Sequence, residues 1–223
     1  ELRRLTIGVT PDDPNPPCEF VSGPFVQTSP YYNRSVNVIS TSDKNKARYL
    51  MQQAGAVDSA GRWLMDGEPI DLRIGMRAPL DIEAKDLTNQ IGNQLQAGGF
   101  GTRTFKVTDD DWTVKAITGR LTEQYDLLIG KWSFGVVEDV NPMFQTRGGG
   151  KGSLNIFNYS NGEADKIMGQ FDTARTDTEA QDAYHELHKF LAGDLPYVFL
   201  WRLDTKSAWR NEVRGGTIAP YYY

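Results

Sequence analysis

From residue 43 onward, hydrophobic positions fall into helical stripes separated by short apolar runs. Ala47, Leu50, Met51 and Ala54 recur at three- to four-residue spacing, with Ser42 as a candidate N-cap and Gly55 as the stop. Residues 56–69 show no sustained period and read as a loop around Trp63. Residues 70–76 (IDLRIGM) read as a strand ended by Arg77-Ala78-Pro79. The next stretch, 82–97, is a helix with Ala84, Leu87, Ile91 and Leu95 on one face, closed by Gly98-Gly99. A second strand is expected over 102–107. Asp109-Asp110-Asp111 then stand where a helix N-terminus favours negative charge, ahead of a short helix from Trp112 to about Leu121. A third strand over 125–132 (YDLLIGKW) is apolar enough to be buried on both faces. Helices near 162–174 and 177–193 follow, the second with Ala180, Ala183, Tyr184, Leu187 and Leu191 inward, and a strand over 196–203 comes last. Residues 1–42 break the pattern. Their prolines at 11, 14, 16, 17, 24 and 30 predict an extended arm laid over a domain, anchored by Tyr31 and Tyr32.

The order β-α-β-α-β, with crossovers of helical length, predicts an α/β fold built on a parallel, right-handed sheet. The division expected is an extended arm or inter-lobe segment over 1–42 and an α/β lobe over 43–223. Composition then narrows the function classes. Lys+Arg total 24 against Asp+Glu 29, for a net charge of −5, and no Lys/Arg run forms the basic stripe of a nucleic-acid binder. The longest apolar stretches, such as Tyr197–Trp201, fall far short of the ~20 residues that span a bilayer. The chain opens on Glu1-Leu2-Arg3-Arg4 without a signal peptide, so either a signal was removed or the start is an internal cut. The single cysteine, Cys18, excludes an intrachain disulfide and a thiolate zinc cluster.

Candidate catalytic motifs are weak, and no metal or cofactor is expected. His185 and His188 in HELH are spaced i,i+3, where the zinc-protease pattern requires i,i+4, and a boundary position on their helix suits them better. Residues 148–153 (GGGKGS) lack the Ser or Thr after the lysine of a phosphate loop and precede strand-like SLNIF, so a flexible surface loop is expected. GGFGT at 98–102 is a helix stop, not a dinucleotide fingerprint. Helix capping accounts for the aspartates at 109–111 without a cation. Ligands of open parallel sheets lie beyond the carboxyl ends of the strands. The richest such end is the third, where Trp132 and Phe134 precede Glu138, Asp139 and Asn141. Aromatic faces with carboxylates suit a ligand with an apolar body and a cationic group. The alternative is that Trp132 only plugs the sheet end and the acids are solvated.

These pieces resemble the C-terminal lobe of the bacterial extracellular solute-binding proteins of family 5, the oligopeptide, dipeptide and nickel-binding type serving ABC importers. Residues 46–55 (KARYLMQQAG) are similar to the family's A-x-x-L-L-x-x-A-G helix, with Met51 at the second leucine. The strand at 70–76, the 82–97 helix and Gly98-Gly99-Phe100 resemble its strand, helix and G-I/F turn. Residues 125–142 resemble its D-x-x-x-x-x-W…D-x-x-P segment, although the loop from Trp132 to Pro142 is a few residues longer. Asn158-Tyr159-Ser160-Asn161 resembles N-Y-S/N-N/D, and 163–196 resemble the paired helices ending in D-L-P, here Asp194-Leu195-Pro196.

The resemblance covers about residues 23–215 and implies a type II periplasmic-binding-protein-like lobe with an extended N-terminal arm. Members are about twice this length, so a first lobe is expected to precede residue 1, with the ligand closed between two lobes by a hinge. The implied protein is not an enzyme. It captures a small solute, foremost an oligopeptide or dipeptide, for a membrane-embedded ABC permease, in the periplasm or outside the cell, with or without a lipid anchor. In peptide-binding relatives an acid after the tryptophan pairs with the ligand's α-ammonium. Glu138 and Asp139 are the candidates here, the longer loop leaving open which, and Trp132 is expected at the cleft floor. By geometry alone, Arg77 is a plausible carboxylate clamp. An oligosaccharide, opine or metal chelate on the same fold is the first alternative ligand. A nucleotide-using enzyme domain and a non-transport regulatory module are the more distant rivals.

Overall fold

A computed structural model describes residues 18–38, 43–78, 82–132, 138–149 and 152–203. The strands are β1 (Cys18–Phe20), β2 (Val57–Ser59), β3 (Arg62–Met65), β4 (Glu68–Pro69), β5 (Asp71–Arg77), β6 (Gly101–Val107), β7 (Leu127–Ile129) and β8 (Trp201–Leu203). The helices are α1 (Lys44–Gln53), α2 (Ile82–Ala97), α3 (Asp109–Thr118), α4 (Leu121–Gln124), α5 (Asn141–Phe144), α6 (Gly162–Thr173) and α7 (Asp177–Asp194). The described chain divides into two compact units. One comprises 43–131 with 156–158; the other comprises 18–38, 132–155 and 159–203.

The first unit is built on the sheet β6-β5-β7, with both neighbours of β5 parallel to it. The α/β expectation is met, with α2 as the first crossover and α3–α4 as the second. Thr108, not Trp112, sets the start of α3, because its hydroxyl accepts the Asp111 N–H (3.3 Å) and draws all three aspartates into the first turn. Gly119, in the left-handed conformation, ends that helix before Leu121. β7 is shorter than the pattern suggested. It spans three residues, all half-buried, because among the described residues it pairs with β5 only and stands at the sheet edge. Val107, Trp112, Leu121 and Ile156 form the unit's buried cluster.

Two local readings are corrected here. Helix α1 is capped by Asp43, whose carboxylate accepts the Lys46 N–H at 2.9 Å; Ser42 lies outside the described residues. The stretch read as a loop around Trp63 is an antiparallel meander, β2-β3-β4, with Trp63 buried in its middle strand. Its strands are two to four residues long, too short for alternation to register. The two-residue turns Ala60-Gly61 and Asp66-Gly67 have positive φ throughout, the geometry of tight hairpins.

The second unit is a helix pair with a helical turn and a two-stranded ribbon. Asn161 caps α6, and Thr176 with Glu179 forms a capping box on α7, so both helices start where side chains satisfy their free N–H groups. The inner stripe of α7 is as expected for Tyr184, Leu187 and Leu191. These residues pack with Phe25, Val140, Met143, Phe144, Ala164, Ile167 and Met168. Tyr31 and Tyr32 pack against this core and anchor residues 18–38. β1 pairs antiparallel with β8, which is confined to 201–203 of the strand expected over 196–203.

Candidate functional site

The loop after Trp132 belongs to the second unit and holds most of the sequence-derived candidates. Trp132 is exposed (37%), while Phe134 lies outside the described residues. Glu138 is half-buried, and its Oε2 accepts the Ser29 hydroxyl proton. Ser29 Oγ in turn accepts the Tyr31 N–H at 3.1 Å, which fixes the direction of the hydroxyl. Asp139 is exposed, and its Oδ1 accepts the Asn141 N–H (3.0 Å) and the Tyr184 hydroxyl (3.0 Å). Among the described residues, Glu138 Oε1 and Asp139 Oδ2 have no partner.

Asn141 differs from the sequence reading. It is 3% exposed, its amide donates to Asp172 Oδ1 (2.7 Å) and Met168 O (3.4 Å), and its Oδ1 lies 3.1 Å from the Tyr184 hydroxyl. Its polar atoms face inward and brace the loop against Met168, Asp172 and Tyr184. Gln145 reaches the other oxygen of Asp172 at 3.2 Å. Tyr184 stacks on Phe171 at 3.6 Å and 2°. Burial, reinforced by the charge of Asp139, holds its phenol well above the ordinary range, so it remains a donor. Sequence reasoning missed Ser29, Asp172 and Tyr184 as supports. They come from three separate segments, and no linear spacing joins them.

Arg77 lies in the first unit, at the carboxyl end of β5. Its Nε donates to Asp109 Oδ1 at 2.5 Å, both side chains being 53% exposed. The ion pair ties the end of β5 to the start of α3, and a ligand carboxylate would compete with Asp109 for the guanidinium. A groove of about 380 Å³ in the same unit is lined by the uncharged side chains of Thr88, Asn89, Asn93, Gln96, Thr102 and Thr104, with Gly92. None of the sequence-derived candidates among the described residues lines it.

The motifs set aside for catalysis have structural roles. His188 is fully buried, not at a boundary. Its Nδ1 accepts the Asn33 N–H (2.9 Å), so the ring proton sits on Nε2 and is donated to Ser22 Oγ (3.0 Å). A serine–histidine contact with that tautomer cannot use the imidazole as the serine's base. His185 Nε2 meets the Pro30 carbonyl at 3.0 Å. No group of three His, Cys, Asp or Glu side chains with metal-binding geometry occurs among the described residues. No helix among them is long and apolar enough to cross a membrane.

The two most specific stretches of the family resemblance meet in space. The Tyr159 hydroxyl donates to Asp194 Oδ2 (2.5 Å), and Asn161 Nδ2 reaches the same oxygen (3.2 Å). Burial and Asp194 together push the Tyr159 phenol above its ordinary range. Asn155, fully buried, turns the preceding chain by donating to Gln145 O and Tyr159 O and accepting the Tyr159 N–H.

No protein-family model matches the chain. Among curated proteins, the oligopeptide-binding protein AppA of Bacillus subtilis is 23% identical over 181 residues, covering 78% of this chain and 32% of that protein. The solved structure of the same AppA, in complex with a nonapeptide, superposes with a TM-score of 0.71 at 22% identity, over 82% of this chain and 36% of that one. An oligopeptide-binding protein from Thermus thermophilus, complexed with a pentapeptide, gives a TM-score of 0.71 at 14% identity, over 91% and 35%. A nickel ABC transporter protein from Bacillus halodurans gives 0.69 at 14%, over 84% and 38%. The chain spans about a third of the length of the relatives it matches. The fold is a periplasmic-binding-protein-like α/β lobe of the kind found in family 5 solute-binding proteins, which the chain resembles in sequence as well.

Proposed function

We propose that this lobe is part of the substrate-binding component of an ABC importer, capturing an oligopeptide or dipeptide between itself and a second lobe. The observation that carries the reading is the adjacent pair Glu138 and Asp139. Each has one carboxylate oxygen held by an internal donor and the other without a partner among the described residues. A ligand α-ammonium matches that arrangement: the held oxygens fix the carboxylates, and the unpartnered ones accept charge-assisted hydrogen bonds. Trp132, exposed on the same loop, offers an apolar face to the ligand body. The peptide complexes of AppA and of the Thermus protein support this choice of ligand class. An ABC permease and a second lobe are the partners, in the periplasm or outside the cell.

Native mass spectrometry of the complete parent protein, compared with the same sample after denaturing extraction, tests the ligand class. Excess masses spaced like amino-acid residues are expected. A single discrete excess mass would replace the peptide by an oligosaccharide, opine or metal chelate. For the site, Glu138→Ala or Asp139→Ala in the parent protein is expected to weaken binding of a cationic ligand by about 2–3 kcal/mol, the scale of a hydrogen bond to a charge. Calorimetry showing neither change would remove the carboxylate pair from the ligand.

A further inference from the structure

The loop that carries Ser29 to Glu138 is pinned to α7 at four points. Pro30 O accepts from Gln181 Nε2 (2.7 Å) and from His185 Nε2 (3.0 Å). Asn33 Nδ2 donates to His185 O (3.0 Å), and the Asn33 N–H donates to His188 Nδ1 (2.9 Å). At the other end of the loop, Ser22 takes the His188 Nε2 proton and passes its own to the Tyr32 hydroxyl (3.1 Å). Gly23 packs so closely on the imidazole that a Cβ there would collide with its Cδ2. One neutral ring thus closes both ends of a twelve-residue loop, using its lone pair at one end and its proton at the other.

We infer that His188 is a positioning residue: in its neutral form it holds residues 22–33 against α7 so that the Ser29 hydroxyl is delivered to Glu138, and acidification releases the loop and frees the acid. The part concerning Glu138 rests on the reading of that carboxylate as ligand-facing. A second proton must enter at Nδ1, the atom that accepts the Asn33 N–H, so the imidazolium and the closed loop exclude each other. Ser22, Gly23, Phe25, Tyr32 and the Asn33 amide face the ring from the loop, and His185 faces it from its own helix. Tyr32 and His185 are the ionisable side chains among these, and among the described residues no carboxylate faces the ring to pair with an imidazolium. Burial, opposed in part by a hydrogen bond to the Ser22 backbone and reinforced to a smaller extent by His185, pushes the imidazole down to about 4 from 6.5. The open loop binds a proton at the ordinary value and the closed loop does not. Closure is therefore at full strength above pH 6.5 and weakens as pH falls towards 4.

The test is native-state hydrogen exchange on the 223-residue chain at pH 7 and pH 5, corrected for intrinsic rates. The Asn33 and Tyr31 amides are expected to lose about twenty-fold in protection over that interval. His188→Gln, whose amide can accept from Asn33 and donate to Ser22 without titrating, is expected to remove the pH dependence. Should that variant fail to fold, long-range proton–nitrogen NMR on the unaltered chain decides, with the ring proton expected on Nε2 at pH 7. A proton on Nδ1, protection constant to within about two-fold, or the same loss in His188→Gln would overturn the inference. None of these readouts involves a ligand. Failed peptide binding with the exchange result intact would count against the proposed function alone.

Discussion

The two units hold themselves together by different means. The first joins main-chain ladders and caps to a smaller buried cluster. Its helix α1 buries no residue, leaving Tyr49 (58%) and Leu50 (54%) exposed, and Val114 and Ile117 stand out from α3 in the same way. The second closes a helix pair over ten buried side chains, with the Phe171–Tyr184 stack beside them. Their electrostatics differ to match. In the first unit the Arg73 guanidinium, hydrogen-bonded to Asp126, holds that carboxyl below the usual range at a partly exposed strand edge. In the second, desolvation dominates, raising Tyr184 and Tyr197 and lowering His188. The contrast teaches that a hydrophobic stripe reports a helix's amphipathic face and not what covers it. The stripes of α1 and α7 look alike in sequence, and only one meets a core.

Mutation can sharpen this contrast. Phe144→Ala, in the core of the second unit, is expected to cost about 3–5 kcal/mol, the range for deleting a buried phenyl ring. Urea unfolding followed by near-ultraviolet circular dichroism measures it, and a negligible loss would erase the difference between the units. Tyr184→Phe keeps the ring stack but removes the donor to Asp139 and Asn141. An expected loss of about 1–2 kcal/mol would place the polar network second to apolar packing; a loss equal to that of Phe144→Ala would reverse the order. Leu50→Ala, on α1, is expected to change stability by less than about 0.5 kcal/mol. A larger loss in the same urea series would show that the α1 stripe is covered in solution.

Much of the α/β skeleton could be read directly from the residues. Long crossovers with clear stops, such as 82–97 before Gly98-Gly99, produce enough periods to be recognised. The meander could not be read from alternation, because its strands end before a second period; the Asp66-Gly67 dipeptide was the usable signal. At the candidate site, Trp132, Glu138 and Asp139 were singled out by their position after a strand. The burial of Asn141 was not legible, because it depends on Asp172 and Tyr184, some thirty and forty residues further along. His188 was placed at a boundary because the loop that covers it comes from the other end of the sequence. What sequence spacing conveys is local order; the partners of a polar side chain are set by tertiary closure.

The interleaving of the units along the chain has a consequence for synthesis. Ser22 leaves the ribosome 166 residues ahead of His188, and Ile156 trails Val107 into the first unit's cluster. At about 5–20 residues per second, the 18–38 segment waits on the order of ten to thirty seconds for α7. Over that interval Phe25 and Tyr31 have no helix pair to cover them, so the nascent chain displays an aromatic, aggregation-prone segment long before its seat exists.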